Sequence, residues 1–144
     1  MKKYNKGYTT GVFDMFHIGH LNILKSAKSM CTQLVVGVTT DDLCFKRKNK
    51  YPIICQEDRV KIVEAIKYTD EVVLQTDMDK VSAVKKLGCD AVFVGSDWKG
   101  TKAWIEYEKE FNAIGCEVVY LDHTDGISST ILREKLNNEH TDNG

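Results

Sequence analysis

Two histidines three positions apart carry the first chemical signal in this chain. His17 and His20 bracket Ile18-Gly19 at the end of Thr9-Thr10-Gly11-Val12-Phe13-Asp14-Met15-Phe16-His17-Ile18-Gly19-His20. The stretch starts beside a short apolar run (Tyr8, Val12, Phe13) and leads into a helical pattern. An α/β protein places a phosphate at such a junction, where a strand ends and the first N–H groups of the next helix point outward. Imidazoles held there donate hydrogen bonds to phosphate oxygens and stabilise charge that builds up during phosphoryl or nucleotidyl transfer. A spacing of three puts both rings on one helix face, and Gly19 lets the backbone approach a ligand closely. Zinc chelation is a competing reading of the pair, as is simple burial. No cysteine or further histidine stands at a helpful spacing for zinc, since the other two are His123 and His140.

Three more segments hold chemically able side chains. Phe45-Lys46-Arg47-Lys48-Asn49-Lys50 carries four cations in five residues and reads as a flexible loop able to close over a triphosphate, with Arg59 behind it to reach the same phosphates. Gly95-Ser96-Asp97-Trp98-Lys99-Gly100 sets an aspartate and a tryptophan between glycines, for accepting from a hydroxyl and stacking on a ligand, or for a tight turn with Trp98 as a lid on the core. His123-Thr124-Asp125-Gly126-Ile127-Ser128-Ser129-Thr130 runs into a last helix, whose N–H groups and hydroxyls form an anion site.

The elements that position these loops are legible in the apolar pattern. Leu34-Val35-Val36-Gly37-Val38, Val72-Val73-Leu74, Ala91-Val92-Phe93-Val94 and Val118-Val119-Tyr120-Leu121 are short, nearly continuous and rich in β-branched residues. Strands covered on both faces read this way. Helical spacing separates them, from Ile18 to Met30, from Val60 to Ile66 after the acidic pair Glu57-Asp58, from Lys80 to Leu87 before Gly88, from Thr101 to Ile114 before Gly115, and from Ser128 or Ser129 to Leu136. Strand then helix, repeated, predicts a Rossmann-like parallel sheet with right-handed crossovers and helices on both faces. Ligands of such sheets bind beyond the carboxyl ends of the strands. The loops 10–20, 39–59, 95–102 and 122–129 then meet at one edge.

Composition sets the frame. The 144 residues, 42% hydrophobic and 28% charged, suit one globular domain with a core over about 7–137 and a frayed tail at 138–144. A net charge of −1 gives no global attraction for nucleic acid. Met1-Lys2-Lys3 runs into Tyr4-Asn5-Lys6 rather than an apolar stretch, so neither a signal peptide nor a membrane span is expected. Cys31, Cys44, Cys55, Cys89 and Cys116 are odd in number, scattered and free of CxxC spacing, which predicts free thiols in a reducing cytoplasm.

Taken together, Gly11 to His20, the lysine-rich segment, Arg59, Lys67-Tyr68-Thr69-Asp70-Glu71-Val72, Gly95-Ser96-Asp97-Trp98 and Gly126-Ile127-Ser128-Ser129-Thr130 resemble the cytidylyltransferase-like family of nucleotidyltransferases, over about Tyr8 to Leu136. The resemblance implies the nucleotidyltransferase fold and a reaction in which CTP and glycerol 3-phosphate, or a similar small phosphorylated alcohol, give a CDP-alcohol and pyrophosphate by direct in-line attack, with Mg²⁺. It implies catalytic roles for His17, His20, Lys46 or Lys48, and Arg59. It implies nucleotide contacts from Thr10, Gly11, Val12, Phe13, Asp14, Gly19, Gly95, Asp97, His123, Thr124, Gly126, Ile127, Ser128 and Ser129. It implies, too, that Asp14 helps place the metal, that Lys80 and Trp98 face the acceptor, and that the protein is a homodimer. The sequence departs from the family pattern at His123 and Lys67, where relatives carry Arg, and at Ser96, where they carry Asp. Two other readings stand beside this one. One is an adenylyltransferase of the same superfamily acting on a sugar phosphate or cofactor precursor. The other is a nucleotide-binding module without activity.

Overall fold

The computed structural model describes residues 2–122. The expected last helix, its capping serines and the tail lie outside the described residues. Five strands, β1 (Tyr4–Gly11), β2 (Cys31–Thr39), β3 (Glu71–Gln75), β4 (Ala91–Gly95) and β5 (Glu117–Leu121), form one wholly parallel sheet in the order β3-β2-β1-β4-β5. Five helices connect them: α1 (Ile18–Met30), α2 (Asp41–Lys48), α3 (Gln56–Glu64), α4 (Lys80–Leu87) and α5 (Lys102–Ala113). The Rossmann-like α/β architecture read from the sequence is the one observed.

Two apolar cores cover the two faces. Leu24, Ala27, Leu34, Val36, Val38, Val63 and Phe93 fill one, beneath α1 and α3. Tyr8, Val35, Val84, Val92, Trp104 and Phe111 fill the other, beneath α4 and α5. Burial on both faces explains why the strands read as continuous apolar runs.

The chain builds outward from β1 to β3, then returns to lay β4 on the other side of β1. This reversal opens a crevice at the carboxyl ends of β1 and β4. Thr9 seals its floor by donating from Oγ1 to the Phe93 carbonyl at 2.9 Å.

One expected element differs. The basic run Phe45 to Lys48 is helical, as the end of α2, rather than a flexible loop. Thr40 caps α2 by accepting from the Leu43 N–H at 3.1 Å, Asp41 and Asp42 occupy the first turn, and Lys46, Arg47 and Lys48 occupy the last. This is the charge order that the helix dipole favours. Asn49 ends the helix in the left-handed conformation at φ 57°. Elsewhere the boundaries move by a few residues. β1 starts four residues before Tyr8 and leaves Val12 and Phe13 outside it, and α3 runs earlier than the Val60–Ile66 pattern.

Candidate active site

The crevice is a cavity of about 290 Å³. From the sequence-predicted residues it gathers Thr10, Gly11, Val12, Phe13, Asp14, His20, Lys48, Gly95 and Trp98, and adds Cys44, Lys50 and Tyr51. The turn leaving β1 makes this possible by adopting strained backbone. Phe13 and Met15 stand at φ 54° and 50°, a region that non-glycine residues seldom occupy and that concentrates at functional sites. Phe13 folds its ring back over Gly11, where an added Cβ would lie 3.1 Å from ring carbons, and presents an edge to His20 at 5.4 Å between centroids.

The two histidines cap their own helix. His17 is the N-cap residue of α1, and its Nδ1 accepts the Gly19 N–H at 3.1 Å. Three residues on, His20 Nδ1 accepts the His17 N–H at 3.3 Å. The pair thus forms a reciprocal capping box, the role that Ser and Glu commonly fill. An imidazole that accepts at Nδ1 carries its proton at Nε2 when neutral. Both rings are therefore fixed as Nε2–H donors. The Nε2 of His17 is buried without a hydrogen-bond partner. Burial lowers the pKa of His17, and it lowers that of His20 to about 4, helped by His17 and opposed by Asp14. With no anion bound, both rings are neutral near pH 7.

Asp14 is buried at 2% exposure and accepts the Ile53 N–H at 2.9 Å and the Ile54 N–H at 2.8 Å, one on each oxygen. It pins the segment after α2 across the turn that leaves β1. Gly19 serves the site through the N–H it gives to His17.

Arg59 does not reach the crevice. It is fully buried, and its guanidinium donates to the carbonyls of Ile54 (2.9 Å), Val12 (2.7 Å) and Thr39 (2.7 Å) and pairs with Asp41 at 2.6 Å. These bonds tie together the ends of β1 and β2 and the start of α2. The partners of Arg59 here are thus three carbonyls and a carboxylate: a charge seen in sequence shows its sign and not its partners. Lys46 is also absent from the cavity wall, whereas Lys48 lines it. Cys44 and Lys48 share one helix face at a spacing of four, and Lys46, two positions on, points away from it.

On the other side of β1, Lys80 donates to Thr10 Oγ1 at 3.2 Å and lies over the rings of Trp104 (5.0 Å) and Tyr107 (5.8 Å). Burial first, then the nearby Arg47, brings its pKa down to about 8. Trp98, 43% exposed in a single 3₁₀ turn (Ser96–Trp98), lines the crevice, while Asp97 is exposed and outside its wall. Thus Trp98 is no lid on the core. His123, Thr124, Gly126, Ile127, Ser128 and Ser129 lie outside the described residues. Tyr51 and Cys44 carry no such signal in the sequence on their own; the helix signals Thr40-Asp41-Asp42 and Asn49 are what mark the Cys44–Lys48 face.

The sequence model of the cytidylyltransferase-like family matches residues 8–135. The chain is similar to a glycerol-3-phosphate cytidylyltransferase of Bacillus spizizenii, with 36% identity over 132 residues, 91% of this chain and 96% of the relative. It is also similar to an FAD synthase of Thermococcus kodakarensis, with 34% identity over 133 residues, 88% of this chain and 87% of the relative. Among solved structures, a lipopolysaccharide core biosynthesis protein from Thermoplasma volcanium superposes with a TM-score of 0.70 at 28% identity, over 84% of this chain and 97% of that one. The chain belongs to the cytidylyltransferase-like family and is a nucleotidyltransferase.

Proposed function

We propose that the protein joins CTP to glycerol 3-phosphate or a similar small phosphorylated alcohol, releasing pyrophosphate. The observation that carries this reading is the self-capping histidine pair, of which His20 lines the crevice together with Lys48 while His17 stacks behind it. A phosphate oxygen of the acceptor attacks the α-phosphorus of the nucleotide. The new P–O bond forms as the bond to the β-phosphate bridging oxygen breaks, and pyrophosphate leaves with that electron pair. The histidines and Lys48 stabilise the charge on the leaving phosphates, so the protein contributes positioning and electrostatics rather than a covalent intermediate. Lys80, joined to Thr10 at the crevice wall, holds the acceptor's phosphate.

For Mg²⁺, no group of three His, Cys, Asp or Glu side chains gathers among the described residues, and both oxygens of Asp14 accept backbone N–H groups. These residues do not fit a cage built by the protein. The ion is proposed to arrive on the triphosphate, the usual arrangement for this cation. No helix among the described residues is long and apolar enough to cross a membrane. The homodimer and the cytoplasmic setting are proposed on the resemblance alone, and sedimentation equilibrium checks the first.

Similarity to FAD synthases supports a second reading, adenylyl transfer from ATP. Pyrophosphate release from CTP and from ATP, with Mg²⁺ and a panel of phosphorylated alcohols that includes FMN, separates the two. Turnover with CTP and glycerol 3-phosphate is the expected result. Turnover with ATP alone would replace the proposal with the second reading.

A further inference from the structure

Beyond the Lys80–Thr10 contact lies a second cavity of about 320 Å³, between the carboxyl end of β3 and α4. Two buried polar side chains on its wall have no part in the site described above. Gln75, 6% exposed, accepts from Thr39 Oγ1 at 2.7 Å, but its own Nε2 is buried without a hydrogen-bond partner. Tyr8, 2% exposed, carries its hydroxyl to 2.6 Å from where a Cβ on Gly37 would stand, so a glycine is needed there to make room for it. A buried amide donor left unpaired is destabilising, which makes it a poor choice for a purely structural wall.

We infer that this cavity receives the hydroxyl-bearing end of the acceptor, and that Tyr8 and Gln75 select polyhydroxylated phosphates over amino-alcohol phosphates. This rests on the proposed transfer reaction and names its acceptor class. Lys80 lines this second cavity and bonds to Thr10, a residue of the crevice. A phosphate bound by Lys80 therefore adjoins the nucleotide's phosphates, and the rest of the acceptor extends toward Gln75 and Tyr8. There a hydroxyl accepts from the amide and exchanges a hydrogen bond with the phenol.

An ammonium group offers no acceptor to the Gln75 donor. The aromatic faces of Trp104 and Tyr107, outside the cavity wall, are already covered by the Lys80 ammonium. At the rim Asp79 bonds the N–H and the hydroxyl of Ser82 and Asp77 accepts the Asp79 N–H; deeper in the cavity the unpaired Gln75 amide calls for an acceptor, which a hydroxyl is and an ammonium is not.

Initial rates of pyrophosphate release with CTP test the inference, using glycerol 3-phosphate, ethanolamine phosphate and choline phosphate. The wild type, Tyr8→Phe and Gln75→Met are compared, with melting curves to confirm folding. The wild type is expected to favour glycerol 3-phosphate by on the order of 100-fold in kcat/KM. Each variant is expected to raise the KM for glycerol 3-phosphate about tenfold and leave the KM for CTP in place. Equal use of choline phosphate by the wild type, or unchanged acceptor KM in both folded variants, would overturn the inference and leave the transfer reaction standing. If a variant does not fold, the wild-type acceptor ratio decides. Silence with every nucleotide and acceptor would overturn the reaction and the inference together.

Discussion

His17 and His20 lie face to face, with ring centroids 3.8 Å apart and planes inclined by 20°. Because the two Nδ1 atoms accept backbone N–H groups, protonation would make both rings into cations stacked in near contact. The stack therefore resists charge until an anion arrives to offset it.

The first prediction concerns turnover. His17→Ala and His20→Ala should each lower kcat by on the order of 10² or more, the cost of removing a preorganised charge stabiliser. His17→Asn keeps an oxygen for the helix cap and removes the ring. It should melt close to the wild type and still lose the same activity, which stopped-assay rates and thermal melts would separate.

Stability should depend on pH through His20. Its pKa is about 4 in the folded chain and 6.5 ordinarily. Between these values the unfolded chain binds a proton that the folded chain refuses. Stability from this residue is thus complete above pH 6.5 and falls as pH drops toward 4. Urea unfolding across that range should show the slope, and His20→Gln should flatten it. A bound triphosphate favours the protonated rings, so calorimetry in buffers of different ionisation enthalpy should detect proton uptake.

Arg59→Met should act on the fold before it acts on nucleotide. Losing the fork strands the carbonyls of Val12, Thr39 and Ile54 and leaves Asp41 without its ion pair. A loss of roughly 3–5 kcal/mol is expected in urea unfolding. Arg59→Lys should rescue little, because an ammonium cannot span the same acceptors. Wild-type stability with a raised KM for CTP would return Arg59 to the phosphate site.

The cations of α2 should divide by helix face. Lys48→Ala should raise the KM for CTP about tenfold, as expected for one charge-assisted hydrogen bond lost. Lys46→Ala, on the opposite face, should leave it within twofold or so. Steady-state kinetics on the two variants decides the assignment.

Much of this architecture can be read from the chain before any coordinates. Val35, Val36 and Val38 fall in continuous apolar runs because each strand is covered twice, and the turn from β1 to α1 announces itself through Gly11, His17 and Gly19. Helix α2 escapes because it buries only Leu43 and Cys44. Eight residues with two inward positions leave no period to detect. Arg59 escapes for another reason. Its pairing partner, Asp41, lies eighteen residues back in the chain, and its other acceptors are backbone carbonyls that no sequence displays. His17 and His20 stand out by type, but their capping role depends on which nitrogen meets which N–H, a matter of three-dimensional placement.

The bonds that Asp14 makes to Ile53 and Ile54 tie a surface segment to the turn after the central strand, and Arg59 fastens the same segment at the Ile54 carbonyl. Opening that segment alone would expose a buried carboxylate and a buried guanidinium at once. Its amides should therefore exchange with deuterated solvent as slowly as those of β1, despite the 59% exposure of Ile53. On that outcome the wall of the crevice belongs to the cooperative core, and the protein loses its site and its fold in a single event.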